Sequence, residues 1–336
     1  MTREQPVIGV TMGDPAGIGP EITLAAVADP DVRETVTPVV FGDADHLDAV
    51  ADRHGIDVNL RRITDVEGTT ADGWVDVVDF DNVEQDVTYG EVRRKYGRAS
   101  LAYVDHTVDL AVQGGVDGVA NAPIHKEAIA RAGSDHAGHT DLIAAQTDTK
   151  RCTALITDGD LRVTHHSLHV PLPTAIDRVT TDRLLETIQL TADLLPEVGV
   201  VDPKLGVLGL NPHAGDGGVI GDIDDEIVRP AIERARETGI DAHGPLPPDS
   251  SFNRALDDEF DCLVALYHDQ GHIPVFVNSH VAGGGVRATA LTLGLPFPRA
   301  TTLHGTAYDI AGEGVASPDS MIASIEAVAD VARESE

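Results

Sequence analysis

The chain has 336 residues, enough for two α/β domains of ordinary size. It sets 24 Lys plus Arg against 56 Asp plus Glu, a formal charge of −32, and its only lysines are Lys95, Lys126, Lys150 and Lys204. That balance argues against nucleic acid and anionic membrane as partners, since both select basic surfaces.

The acid is scattered along the chain rather than gathered in a tail, as on a halophilic surface where salt screens self-repulsion. Cys152 and Cys262 sit in apolar runs, "CTALI" and "CLVAL", and read as reduced, buried thiols. With no apolar signal core in "MTREQPVIGVTMGD" and no run long enough to span a bilayer, the expected location is cytoplasmic.

Strand-like and helix-like segments alternate from the start: "PVIGVTM" precedes a helix from "GPEITLAAVA", and "TPVVFGD" precedes "ADHLDAVADRHG". Pro20 fits a first helical turn and Gly55 a helical stop. The long amphipathic segment "GEVRRKYGRASLAYVDHTVDLAVQGG" leads into the strand "DGVANAPI". The middle changes character, because Asp158 and Gly159 between apolar runs signal a hairpin, so antiparallel strands enter there. Next come a helix through "TDRLLETIQLTADLLPEVG", the strand "KLGVLGLNPH", a helix from "DDEIVRPAIERARETG" and the buried run "CLVALY". Ser317 and Pro318 open the last helix. The expected fold is α/β, two domains with mixed, mostly parallel sheets around a central cleft. The expected division is 1–133 plus 305–336 for one domain, and 134–304 for the other, which carries the metal ligands and the dimer contact.

Three strands end in histidine: "VTHHSLHVPL", "LGLNPHAG" and "LYHDQGH". Parallel strands bring their carboxyl ends to one edge, and imidazole suits zinc and other late divalent metals. His169, His213 and His268 are the candidate ligands. Glycine-rich turns at 13–21, 213–222 and 304–314 contain neither G-x-G-x-x-G nor a P-loop, so a standard Rossmann or P-loop site is unsupported. Other polar groups in odd company are Asn121, Lys126, His139, Thr140, Asp141, Asp249 and Arg299. Lys126 falls in a first helical turn, where the macrodipole disfavours a cation.

The motifs "TMGDPAGIGPEI", "APIHKEAI", "GHTD", "HVPL", "GLNPHAGDGG", "GPLPPDSSF", "YHDQGHIP", "GLPFPR" and "HGTAYDIAGEG" occur in that order. Together, from about Val7 to Gly314, they resemble the 4-hydroxythreonine-4-phosphate dehydrogenase family. The last loop also looks like the nucleotide loop of isocitrate and isopropylmalate dehydrogenases. The resemblance implies two α/β domains, a homodimer with its site at the interface, NAD or NADP, and one divalent metal, zinc or alternatively Mg, Mn or Co. It implies metal ligation by His169, His213 and His268, and substrate contacts from His139, Thr140 and Arg299. The nucleotide would be held by His304, Gly305, Thr306, Ala307, Asp309 and Gly312. Lys126, Asp249 and Asp269 are the candidates for proton transfer, with the choice among them open.

The implied reaction removes hydride and a proton from a secondary alcohol and then CO₂ from the β-keto acid, and a cation stabilises the charge that develops on oxygen.

The chain departs from the family pattern at the substrate's far end. Phe276 stands where a lysine is usual, Ala290 where an asparagine is usual, and Leu303 where an aspartate is usual. His280 or Arg287 could supply the lost cation. Two alternatives follow: a D-threonate or D-erythronate 4-phosphate dehydrogenase, and a non-catalytic metal- or nucleotide-binding paralogue.

Overall fold

The computed structural model describes residues 5–69, 73–84, 86–136, 138–283 and 285–334. Gly284, within the glycine run after His280, lies outside the described residues. Twelve strands are described: β1 Val7–Thr11, β2 Thr37–Gly42, β3 Leu60–Ile63, β4 Val75–Asp79, β5 Gly118–Asn121, β6 Thr153–Asp158, β7 Leu161–His165, β8 Leu205–Leu208, β9 Ala242–Leu246, β10 Cys262–Ala265, β11 Thr289–Leu293 and β12 Arg299–Thr302. They belong to two compact units, residues 1–150 with 285–336, and residues 151–284. The sequence places the seams at 133/134 and 304/305; the chain passes from one compact unit to the other at 150/151 and 284/285.

In the unit formed by both ends of the chain the strand order is β3-β4-β2-β1-β5-β12-β11. All neighbours are parallel except the antiparallel pair β11 and β12. The central strands β1, β2 and β5 are buried along their whole length, as continuous apolar runs covered on both faces must be. Their carboxyl ends carry Thr11, Gly42 and Asn121, and each leads to a loop or helix start that holds polar groups.

In the unit of residues 151–284 the order is β6-β7-β10-β8-β9. The expected hairpin is present: β6 and β7 are antiparallel, with Asp158 opposite Leu161 and Gly159 at φ +59°. The strands β7, β10, β8 and β9 are parallel. The four segments that follow them therefore emerge at one edge, and they contain His166 and His169, His268, His213, and Asp249.

The "YHDQGHIPVFV" segment folds as a helix, His268–Gly283, despite its Gly271 and Pro274. Gly271 has a packing reason: a Cβ there would come 2.2 Å from His165 Nε2. Gln270 anchors the start, accepting the Leu266 amide at 2.6 Å and donating to the Gly209 carbonyl at 2.7 Å, so one buried side chain ties the β10 turn to the β8 turn.

Candidate active site

In the terminal unit, Arg299 opens β12 and is 1% exposed. Its Nε donates to Asn121 Oδ1 at 2.8 Å, and Nη1 donates to Thr292 Oγ1 at 2.8 Å and to Thr140 Oγ1 at 3.4 Å. Nη2 is buried without a partner, and no acid among the described residues pairs with this guanidinium. Burial pushes its pKa down to about 9, which still leaves it a cation at neutral pH. His139 and Thr140 begin the helix His139–Gln146. The His139 Nε2 is also buried and unpartnered; burial, and then the Arg299 charge, hold the imidazole well below its ordinary pKa. The three expected substrate contacts are thus brought together around an uncompensated positive charge. Lys126 is the first residue of the helix Lys126–Ala132, as expected, and is exposed.

The loop after β12 is tied to the "GDPAGIGPE" turn. Tyr308 donates its hydroxyl to Asp14 Oδ2 at 2.9 Å, and the Ile18 amide donates to the Thr306 carbonyl at 3.0 Å. Glu21 accepts the amides of Gly312 and Gly314. Gly17 permits this approach, since a Cβ there would lie 2.8 Å from the Thr306 carbonyl oxygen. Of the expected nucleotide contacts, Gly305 is exposed with open space beside its Cα, Asp309 is exposed, Ala307 has φ +41° and Gly312 φ +82°. His304 turns Nδ1 to the Gly305 carbonyl at 3.1 Å and leaves Nε2 buried without a partner. A buried orphan nitrogen beside open backbone fits a loop that receives a polar ligand.

In the unit of residues 151–284 the metal candidates form two pairs. The rings of His169 and His268 lie 5.4 Å apart, and His268 Nδ1 meets Asp269 Oδ1 at 2.7 Å. His213 Nδ1 is 3.8 Å from Asp249 Oδ2. The imidazole and carboxylate donors fit a late divalent cation by their chemistry. Among the described residues, however, no group of three or more His, Cys, Asp or Glu is placed to hold one ion. His213 is itself strained, at φ +54°. Asp224, fully buried, holds the segment in front of it by accepting the amides of Leu210 and Asn211 and the Asn211 side chain. His272 stacks on His268 with ring centroids 3.7 Å apart, and His165 tilts against His272 at 4.9 Å.

Sequence reasoning missed Asp14, Glu21, Asp224, Gln270 and Thr292. Asp14 and Glu21 lie in the motif "TMGDPAGIGPEI" and Gln270 in "YHDQGHIP", so the motifs themselves were the usable signal for these three, and Thr292 lies just ahead of "GLPFPR". The possible replacements for the lost lysine separate: Arg287 is paired with Glu326 at 2.9 Å, whereas His280 is exposed on the helix that carries Phe276.

Residues 34–328 match the family "Pyridoxal phosphate biosynthetic protein PdxA". A 4-hydroxythreonine-4-phosphate dehydrogenase of Desulforapulum autotrophicum is 40% identical over 98% of this chain and 96% of its own length. A protein of Oceanobacillus iheyensis provisionally named D-threonate 4-phosphate dehydrogenase is 37% identical over 98% of both chains. The crystal structure of 4-hydroxythreonine-4-phosphate dehydrogenase from Klebsiella pneumoniae, 35% identical, covers 99% of both chains with a TM-score of 0.87. With sequence and fold agreeing from end to end, this chain belongs to the PdxA family.

Proposed function

We propose that this chain is a nicotinamide-linked, divalent-cation-dependent dehydrogenase that oxidises and decarboxylates a four-carbon hydroxy acid phosphate. The observation that carries this reading is Arg299, a buried cation with no internal acid and a free Nη2 edge beside His139 and Thr140. Such a group is costly to bury and is compensated by an anionic ligand. We assign the substrate phosphate to these three residues and the nucleotide to His304, Gly305, Thr306, Ala307, Asp309 and Gly312.

We assign cation binding to His169, His213 and His268. When bound, the nicotinamide accepts the hydride and the cation stabilises negative charge on the substrate oxygen. The alcohol proton passes to Lys126, Asp249 or Asp269, and the same set returns a proton to carbon after CO₂ leaves. Lys126 is free of any ion pair among the described residues, and Asp249 and Asp269 each already face a candidate ligand histidine.

We further assign a homodimer contact to residues 151–284. Among the described residues, nine of the twelve exposed large apolar side chains lie in that unit, including Ile273, Val277 and Val281, which form one stripe at i, i+4 and i+8 on the helix His268–Gly283. The two separate donor pairs in each chain also suit a site that a second copy completes.

A second reading keeps the chemistry and takes D-threonate 4-phosphate as substrate, favoured by the name of the Oceanobacillus iheyensis relative, 37% identical over 98% of both chains. The test is NADH formation by the purified protein in high salt with NAD and zinc, offered each phosphorylated acid and its unphosphorylated counterpart. Turnover of a phosphorylated acid is expected; silence with all of them sinks both readings.

A further inference from the structure

Arg299 heads the fully buried side chains by volume, and every group that holds it is neutral. Asn121 is the key member. It is fully buried at the end of β5, and its Nδ2 donates to Thr11 Oγ1 at 3.2 Å, so its oxygen is the atom turned to the Arg299 Nε. Strand register fixes the group: Thr11 pairs with Asn121 across β1 and β5, and Leu291 pairs with Ala300 across β11 and β12, which sets Thr292 beside Arg299. Thr292 is 5% exposed.

An aspartate at 121 would have nearly the same shape and would pair with the guanidinium, the ordinary way to accommodate a buried arginine. The chain instead uses an amide and a hydroxyl, which orient the fork without neutralising it.

We propose that Asn121 and Thr292 are positioning residues that fix the Arg299 guanidinium through neutral acceptors alone, so that its charge and its Nη2 edge are kept for a phosphate group of the ligand. The inference rests on the reading of Arg299 as a substrate contact and names what makes that contact possible. A merely structural role for Asn121 predicts phosphate binding unchanged in Asn121→Asp, because a buried Asp–Arg pair would hold the strands together at least as well as Asn does.

The experiment measures binding of inorganic phosphate to the intact protein in high salt, by calorimetry and by the phosphate-induced rise in Tm, for the wild type, Arg299→Lys, Asn121→Asp, Thr292→Val and Thr292→Ser. D-Threonate serves as a carboxylate without phosphate. Phosphate is expected to bind the wild type better than D-threonate does. Asn121→Asp should weaken phosphate by at least about tenfold, the loss of one charge-assisted hydrogen bond. Its Tm without phosphate should equal or exceed that of the wild type. In turnover, Asn121→Asp should raise the KM for the phosphorylated substrate more than it lowers kcat.

Thr292→Val should weaken phosphate and Thr292→Ser should restore it, so the test survives if Asn121→Asp does not fold. Phosphate binding undiminished in Asn121→Asp and Thr292→Val overturns the positioning role and leaves the proposed function standing. Binding that is absent in the wild type, or indifferent to Arg299→Lys, removes Arg299 as a phosphate contact and this inference with it.

Discussion

The Glu21 carboxylate accepts the Gly314 amide at 3.1 Å through Oε2, while Oε1 takes the amide of Gly312, across more than 290 residues of sequence. Glu21 is 4% exposed and sits in the first helical turn after the "GDPAGIG" segment. One buried acid therefore fixes the far end of the loop assigned to the nucleotide. Glu21→Gln puts an amide N–H where the loop offers only donors, and the mismatch should cost about 1–3 kcal/mol. The expected result is a several-fold rise in KM for NAD with little change in KM for the acid substrate, read by initial-rate kinetics. Equal changes in both constants would remove the loop-anchoring role.

Asp14 anchors the near end, and its protonation gives a pH signature. Burial raises its pKa above the ordinary carboxylate value, opposed by hydrogen bonds from the Ala16 amide and the Tyr308 hydroxyl. Tyr308→Phe removes a donor to the charged form, so the folded-state pKa rises further. The folded variant then holds its proton over a pH range where the unfolded chain has released it, and stability falls as pH climbs through that range. Tyr308→Phe should thus be less stable than the wild type by about 1–2 kcal/mol at neutral pH. The gap should narrow as pH falls through the raised folded-state pKa of Asp14. Urea denaturation at several pH values in constant high salt reads this directly; a gap independent of pH would refute it.

The alternation of apolar runs and amphipathic segments made the parallel sheets legible, and Gly55, at φ +65° after the helix Ala44–His54, is the helical stop that the sequence predicts. His169, His213 and His268 were legible as ends of strands that prove parallel. The acids that work inside were not. With 56 acidic residues, nothing in composition separates Asp14, Glu21, Asp43 and Asp224 from solvated surface, yet each is buried and accepts backbone amides. The helix beginning at His268 was hidden for another reason: Gly271 and Pro274 both have poor helix propensity, and the close approach to His165 explains the glycine. Local propensity yielded to packing there.

His213 holds a left-handed backbone at φ +54°, ψ +26°, between Pro212 and Ala214, which is also left-handed. A side chain in that conformation costs about 1–2 kcal/mol. Its imidazole is well exposed, so little packing offsets the strain. His213→Gly should keep or raise the denaturation midpoint while abolishing binding of zinc and turnover together. Chelator-treated wild type should stay folded, lose NADH formation, and regain it on return of zinc or another divalent cation. Zinc affinity unchanged in His213→Gly would exclude His213 as a ligand.

Phe276 marks the point at which this chain leaves the family pattern. It is half-buried on the helix His268–Gly283, its ring 6.5 Å from that of His272. An ammonium at that position would add one charge-assisted contact to a phosphate, worth about 1.5–3 kcal/mol, or roughly tenfold or more in affinity. Arg287 is committed to Glu326, so His280, exposed on the same helix as Phe276, is the side chain that a substrate tail can recruit. If the phosphate reaches this helix, Phe276→Lys should lower the KM for a phosphorylated acid by about tenfold. His280→Ala should then weaken the wild type and have little effect in the Phe276→Lys background. If the far end of the native substrate is instead shaped to the aromatic ring, Phe276→Lys raises KM and His280→Ala is silent. Steady-state kinetics on the two single variants and the double variant separate these outcomes, since only recruitment of His280 predicts non-additive effects between positions 276 and 280.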